Sequence, residues 1–136
     1  MISEPAPFAQ SNLRVLIVED ELFVAWHVED ILRELKLDVC GVAAGGQEAI
    51  EKATELKADL ILMDIHLDGP IDGIEAAQRI RQNSSAGIIF ITAYSDVTVL
   101  KRIQTEVPGA PVLAKPASLE KVRAAIVQVI DQTRRQ

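Results

Sequence analysis

Apolar residues recur along this chain in two rhythms that alternate from one end to the other. Residues 13–18 form a short β-branched run that stops at Glu19-Asp20, and Leu60-Ile61-Leu62-Met63 is an unbroken apolar run that stops at Asp64. Runs of this length, polar only at Arg14 near the start of the first, predict strands buried on both faces, the pattern of a parallel sheet. Residues 38–43 alternate more loosely and predict a second strand in chain order, nearer a sheet edge. Residues 88–91, ending at Thr92-Ala93, predict a fourth strand, and residues 110–114, ending at Lys115-Pro116, a fifth.

The segments between these runs carry helical spacing. Val24, Val28, Ile31 and Leu35 share one face of a first helix. After Gly45-Gly46, residues 47–57 place Ala49, Ile50, Ala53 and Leu56 on a second. A turn around Gly69-Pro70 precedes a third over residues 74–81. Residues 96–106 form a fourth, with Leu100, Ile103 and Val107 clustered, and Pro108-Gly109 breaks it. Ser118 is a good N-cap for the last helix, whose stripe is Leu119, Val122, Ile126, Val129, Ile130 and Thr133. Strict alternation of strand and helix predicts an α/β fold: a doubly wound five-stranded parallel sheet with right-handed crossovers and five helices on two faces. Residues 1–12, with Pro5 and Pro7, read as a flexible leader, and residues 13–134 as one domain.

Composition narrows the function more than the fold. The 136 residues carry a net charge of −6, which disfavours nonspecific attraction to nucleic acid or an anionic membrane. No apolar run approaches the roughly 20 residues that span a bilayer, and the start lacks the pattern of a signal peptide, so a cytoplasmic location is expected. A single cysteine, Cys40, excludes an intramolecular disulfide, and its neighbours Val39 and Val42 suggest a buried structural thiol. Trp26 falls opposite the apolar face of the first helix, among Glu29, Asp30 and Arg33, and so reads as a contact surface or as a single exposed aromatic. His27 reads as surface.

The polar residues that end the strands are the candidate chemistry. The first strand gives Glu19 and Asp20, the third Asp64, the fourth Thr92 and the fifth Lys115. In the doubly wound order 2-1-3-4-5, the first and third strands adjoin at the switch point, so these side chains converge on one crevice. Three carboxylates together repel one another unless a cation sits between them. Oxygen ligands without a histidine or cysteine cluster suit a hard cation, best Mg²⁺. A lysine and a hydroxyl opposite would bind the oxygens of a phosphoryl group in transfer, with Asp64 as the obvious nucleophile. No glycine-rich phosphate loop is present, so the phosphoryl group would come from a small donor or another protein.

The set Glu19-Asp20, Asp64, Thr92-Ala93 and Lys115-Pro116 resembles the receiver domain of two-component response regulators, of the single-domain type, across roughly residues 13–134. The combination is far more specific than any one piece. The resemblance implies a flavodoxin-like fold and phosphorylation of Asp64 by a histidine kinase or a histidine phosphotransfer protein. It implies Mg²⁺ held by Asp20, Asp64 and the main-chain carbonyl of His66, with Glu19 acting through water. Thr92 and Lys115 would bind the phosphoryl oxygens, and the Lys115–Pro116 peptide bond would be cis. Such a domain signals through the surface of its fourth helix, fifth strand and fifth helix, toward a downstream protein or a second copy. It is not an enzyme beyond its own phosphorylation and slow dephosphorylation.

The departures from that pattern lie beside the site. The family spacing from acceptor to the Asp-Gly pair is seven residues, whereas Asp64 to Asp72 is eight, which places an extra residue within Leu67-Asp68-Gly69-Pro70. Val112 stands three residues before Lys115, where receivers usually carry an aromatic. Tyr94 replaces that aromatic in part, screens the phosphoryl site from water, or is simply a half-exposed loop aromatic. His66, two residues after the acceptor, falls where family members tune phosphoryl lifetime. The other readings are a Mg²⁺-dependent phosphohydrolase with an aspartyl-phosphate intermediate, a receiver piece of a larger regulator or hybrid kinase, and a degenerate docking module. The first of these needs an acid where His66 stands. The sequence ends with the last helix, which favours a stand-alone receiver.

Overall fold

The computed structural model describes residues 12–134, so the expected leader, residues 1–12, lies outside it save for its last residue. Five strands and five helices alternate: β1 (Arg14–Val18), α1 (Leu22–Glu34), β2 (Asp38–Ala43), α2 (Gly46–Glu55), β3 (Leu60–Met63), α3 (Gly73–Asn83), β4 (Gly87–Thr92), α4 (Val97–Glu106), β5 (Val112–Ala114) and α5 (Leu119–Arg134). The strands form one parallel sheet in the order β2-β1-β3-β4-β5. This is the doubly wound sheet that the alternation predicted, in the flavodoxin-like form that the resemblance implied.

Period-two alternation along the strands divides the core into two layers. Leu16, Val18, Ile61, Met63, Ile88 and Phe90 face α2, α3 and α4. Val15, Ile17, Leu60, Leu62, Ile89 and Ile91 face α1 and α5. Burying each such side chain stabilises the fold by about 1.5–3 kcal/mol, which explains why β1 after Arg14, and β3 and β4, carry no polar residue until they leave the core. Ser118 caps α5 as expected, its Oγ accepting from the Lys121 amide at 3.2 Å.

Several expectations shift in detail. α1 turns Ala25, Val28, Ile31 and Leu32 into the core, with Leu35 just beyond its end, while Val24 is only half-buried. Cys40 is half-buried rather than buried. β2 is an edge strand, and the pairing steps from Val15↔Val39 to Leu16↔Gly41, so Cys40 is the residue left over in a bulge. Burial still pushes its thiol pKa up. In α4, Ile103 is buried and Val107 follows it into the core, but Leu100 is 42% exposed. The expected three-residue cluster there is therefore a pair, and Val107 is not available to a dimer face.

Candidate functional site

The carboxyl ends of four strands bring the site together through continued main-chain hydrogen bonds. The Asp64 amide donates to the Val18 carbonyl at 2.9 Å, and the Lys115 amide donates to the Thr92 carbonyl at 2.9 Å. Asp64 is thus held against the end of β1, beside Glu19, and Lys115 against the end of β4. The Lys115–Pro116 peptide bond is cis.

Asp64 and Glu19 are each only 5% exposed, and Thr92 is buried beside them. Lys115 Nζ lies 2.6 Å from Glu19 Oε1 and 3.2 Å from Asp64 Oδ2. Carboxylate oxygens of Glu19, Asp20 and Asp64 all lie within 4.8 Å of one another. Asp20 is the most open to solvent of the three. Burial pushes the Glu19 carboxyl above its usual range, and the Lys115 hydrogen bond offsets this only in part. Burial alone would lower the Lys115 pKa, but its hydrogen bonds to Glu19 and Asp64 and the charges of those carboxylates outweigh it and raise it. Three oxygen donors this close, with one ammonium shared between two of them, match the small hard-cation chemistry of Mg²⁺.

The segment after Asp64 folds back on the site. The His66 amide lies 3.3 Å from Asp64 Oδ1, and His66 Nε2 lies 3.1 Å from the Tyr94 carbonyl. The Thr92 hydroxyl donates to that same carbonyl at 3.0 Å. The His66 ring is therefore engaged with the loop after β4 and does not join the acidic cluster. The Tyr94 ring is 62% exposed, and it meets the His66 ring with centroids 6.3 Å apart. Val112 is half-buried against the α3–α4 side of the core.

The segment between Asp64 and Asp72 turns outward at its middle. Leu67 and Ile71 are both buried, and Asp68, Gly69 and Pro70 between them are exposed. Gly69 has φ of 111°, a left-handed conformation that glycine adopts freely. The loop closes where the Gly73 amide donates to the Ile65 carbonyl at 2.8 Å. A Cβ on Gly73 would stand 2.0 Å from the Asp64 carbonyl oxygen, so only glycine fits there.

Two features had little or no signal in the sequence pattern. Phe23 (80% exposed) joins Leu22 and Trp26 (53% exposed) in an apolar patch on α1, and the Phe23 and Trp26 rings meet edge to face at 5.5 Å. A helical wheel with Phe23 included would have found it. Beside the patch, a 410 Å³ cavity lined by Phe23, His27, Val28, Ile91 and Pro116 runs to Lys115. His27 is thus an exposed residue at the rim of a cavity. The second feature is an ion pair between Asp72 and Arg102, which no local pattern announces.

Comparison with known proteins agrees on the fold and family. The family model of the response regulator receiver domain matches residues 15–127. The chain is 35% identical over 121 residues to the transcriptional regulatory protein PdtaR of Mycobacterium tuberculosis, covering 89% of this chain and 58% of that protein. It thus spans little more than half of that relative. Among solved structures, it resembles the signal receiver domain of a modulated diguanylate cyclase from Desulfovibrio desulfuricans, with TM-score 0.82, 36% identity, and coverage of 89% of this chain and 95% of that one. It also resembles the receiver domain of the PhyR response regulator from Erythrobacter litoralis, with TM-score 0.73, 34% identity, and coverage of 88% and 91%.

Proposed function

The chain belongs to the response regulator receiver domain family, and from that premise we propose that it is a phosphoacceptor switched by phosphorylation of Asp64. The observation that carries this reading is the buried Asp64 carboxylate, with Lys115 Nζ 3.2 Å away and the oxygens of Glu19 and Asp20 beside it. A carboxylate oxygen of Asp64 forms the new bond to phosphorus. The bond from phosphorus to the donor's imidazole nitrogen breaks, and its electron pair returns to that nitrogen. Lys115 and Thr92 bind the phosphoryl oxygens. Glu19, Asp20, Asp64 and the main-chain carbonyl of His66 would hold Mg²⁺, whose charge helps neutralise the phosphoryl group.

The donor is a histidine kinase or a histidine phosphotransfer protein, docking over the Leu22, Phe23 and Trp26 patch. Those apolar side chains are exposed on the helix that starts beside Glu19 and Asp20, and the cavity next to them leads to Lys115. The output face is α4, β5 and α5, toward a downstream protein or a second copy, with Tyr94, Val97 and Leu100 exposed on its α4 side. Among the described residues no helix is long and apolar enough to cross a membrane. A phosphohydrolase is disfavoured because His66 occupies the position where such an enzyme needs a second acid, and its ring is engaged with the Tyr94 carbonyl.

Treating the protein with Mg²⁺ and acetyl phosphate should add the mass of one phosphoryl group, and Asp64→Asn and Asp64→Ala should add none. Equal gain in the wild type and both variants, or no gain in the wild type, would overturn the assignment. Phe23→Ala and Trp26→Ala should slow transfer from a phosphorylated protein donor while leaving labelling by acetyl phosphate unchanged.

A further inference from the structure

Resting on that reading, we propose that the Asp72–Arg102 ion pair is the linkage through which the phosphorylated site sets the position of α4. The chain of contacts is short. The first residue of α3, Gly73, is packed so tightly on the Asp64 carbonyl that a methyl group would stand 2.0 Å from its oxygen. The Gly73 amide is also tied to the Ile65 carbonyl at 2.8 Å. A shift of the Asp64 peptide is therefore a shift of the start of α3.

Asp72 sits at that start and does two things with one carboxylate. Its Oδ1 caps α3 by accepting from the Glu75 amide at 2.9 Å. The same group receives both terminal nitrogens of Arg102, Nη1 on Oδ2 and Nη2 on Oδ1, the latter at 3.0 Å. A two-pronged guanidinium–carboxylate contact fixes orientation as well as distance. Arg102 is itself held on α4 by Glu106, with Nε donating to Oε2 at 2.8 Å. Both partners respond as a matched pair. Burial would raise the Asp72 pKa, but the Arg102 hydrogen bond, the capped Glu75 amide and the Arg102 charge together outweigh it and lower it; the Asp72 hydrogen bond raises that of Arg102.

α4 is a helix that such a contact can steer. Within its span only Ile103 is buried, while Val97 and Leu100 are exposed. Its leading end is tied to the same post-acceptor segment a second time, because the Tyr94 carbonyl takes both the Thr92 hydroxyl and the His66 ring. When Thr92 turns its hydroxyl to a phosphoryl oxygen, His66 stays on that carbonyl and Arg102 stays on Asp72. α4 then moves as a body about its attachment to Asp72. With valine at position 112, this route does not pass through an aromatic on β5.

The test is amide hydrogen exchange over residues 97–107 of the whole chain, with and without acetyl phosphate and Mg²⁺, in wild type, Asp72→Asn, Arg102→Gln and the double variant. Asparagine caps a helix as well as aspartate, so Asp72→Asn removes the charge pair and leaves α3 capped. Circular dichroism checks that each variant folds. Wild-type exchange in α4 should change about fivefold or more on phosphorylation, and that change should vanish in each single variant with no further loss in the double. All four proteins should gain one phosphoryl mass.

Retention of the wild-type α4 response in Asp72→Asn or Arg102→Gln would overturn the linkage, as would an equal shift of exchange in both phosphorylation states. Failure of the wild type to gain phosphoryl mass would instead remove the phosphoacceptor reading and the linkage with it.

Discussion

α3 and α4 lie side by side on one face of the sheet, are nearly the same length at 11 and 10 residues, and are each capped by an aspartate. Their anchorage differs. α3 buries Gly73, Ile74, Ala76, Ala77 and Ile80, whereas α4 buries Ile103 alone within its span. α3 is built into the core and begins against the peptide of Asp64. α4 stands at the sheet's β5 side, packed through Ile103, Val107 and the half-buried Val99 and tied by a charged contact to the N-cap of α3. The difference is one of anchorage: α3 follows the Asp64 peptide because it is packed onto it, whereas α4 is the more loosely packed of the two.

The contrast can be broken most severely at the α3 end. Gly73→Ala forces a methyl group onto the Asp64 carbonyl and should destabilise the domain by about 3 kcal/mol or distort the acceptor loop, with urea melts and acetyl phosphate labelling as the two readouts. Ile74→Ala should cost about 2–5 kcal/mol through an unfilled cavity. Leu100→Ala, on the exposed side of α4, should stay within about 0.5 kcal/mol of wild type in the same melts. Equal losses for those two substitutions would erase the distinction between the helices.

The smallest expected effect concerns the contact between the two helices. The folded Asp72 pKa lies below its unfolded value because the Arg102 hydrogen bond, the Glu75 and Ile74 amides and the charge of Arg102 together outweigh burial. Its contribution is therefore present above the unfolded pKa and lost as pH falls through the depressed folded one. The stability gap between wild type and Asp72→Asn should be under about 1 kcal/mol near neutrality, since the pair is one-third exposed on each side. It should close below about pH 4. A gap that widened on acidification would contradict the pairing.

Much of the site was legible without coordinates, for a physical reason particular to parallel sheets. A strand buried on both faces tolerates no polar side chain, so Asp64, Thr92 and Glu19 stand out where their strands leave the core. Sheet order then gathers them. The helices were legible in place but less so in rotation. Leu100 repeats with Ile103 and Val107 in the sequence yet points outward, because α4 lies over the sheet margin, where the core covers a narrower stripe of its surface. Cys40 was placed too deep because a bulge in an edge strand leaves no trace in apolar content. Phe23 and Leu22 look like core residues by type, and only their phase on α1 exposes them.

The sequence by itself determined the elements, their order and the residues at the strand ends, because burial imposes its period on each element locally. The tertiary structure alone decided which groups meet. Lys115 reaches Glu19 and Asp64 from another strand, the His66 ring finds the Tyr94 carbonyl 28 residues away, and Arg102 finds Asp72 across 30. The segment between Asp64 and Asp72 is exposed at the Asp68-Gly69-Pro70 tip because Leu67 and Ile71 are held in the core on either side. Contacts of this kind depend on how elements rotate and pack against one another, and a one-dimensional pattern of apolar positions does not record that.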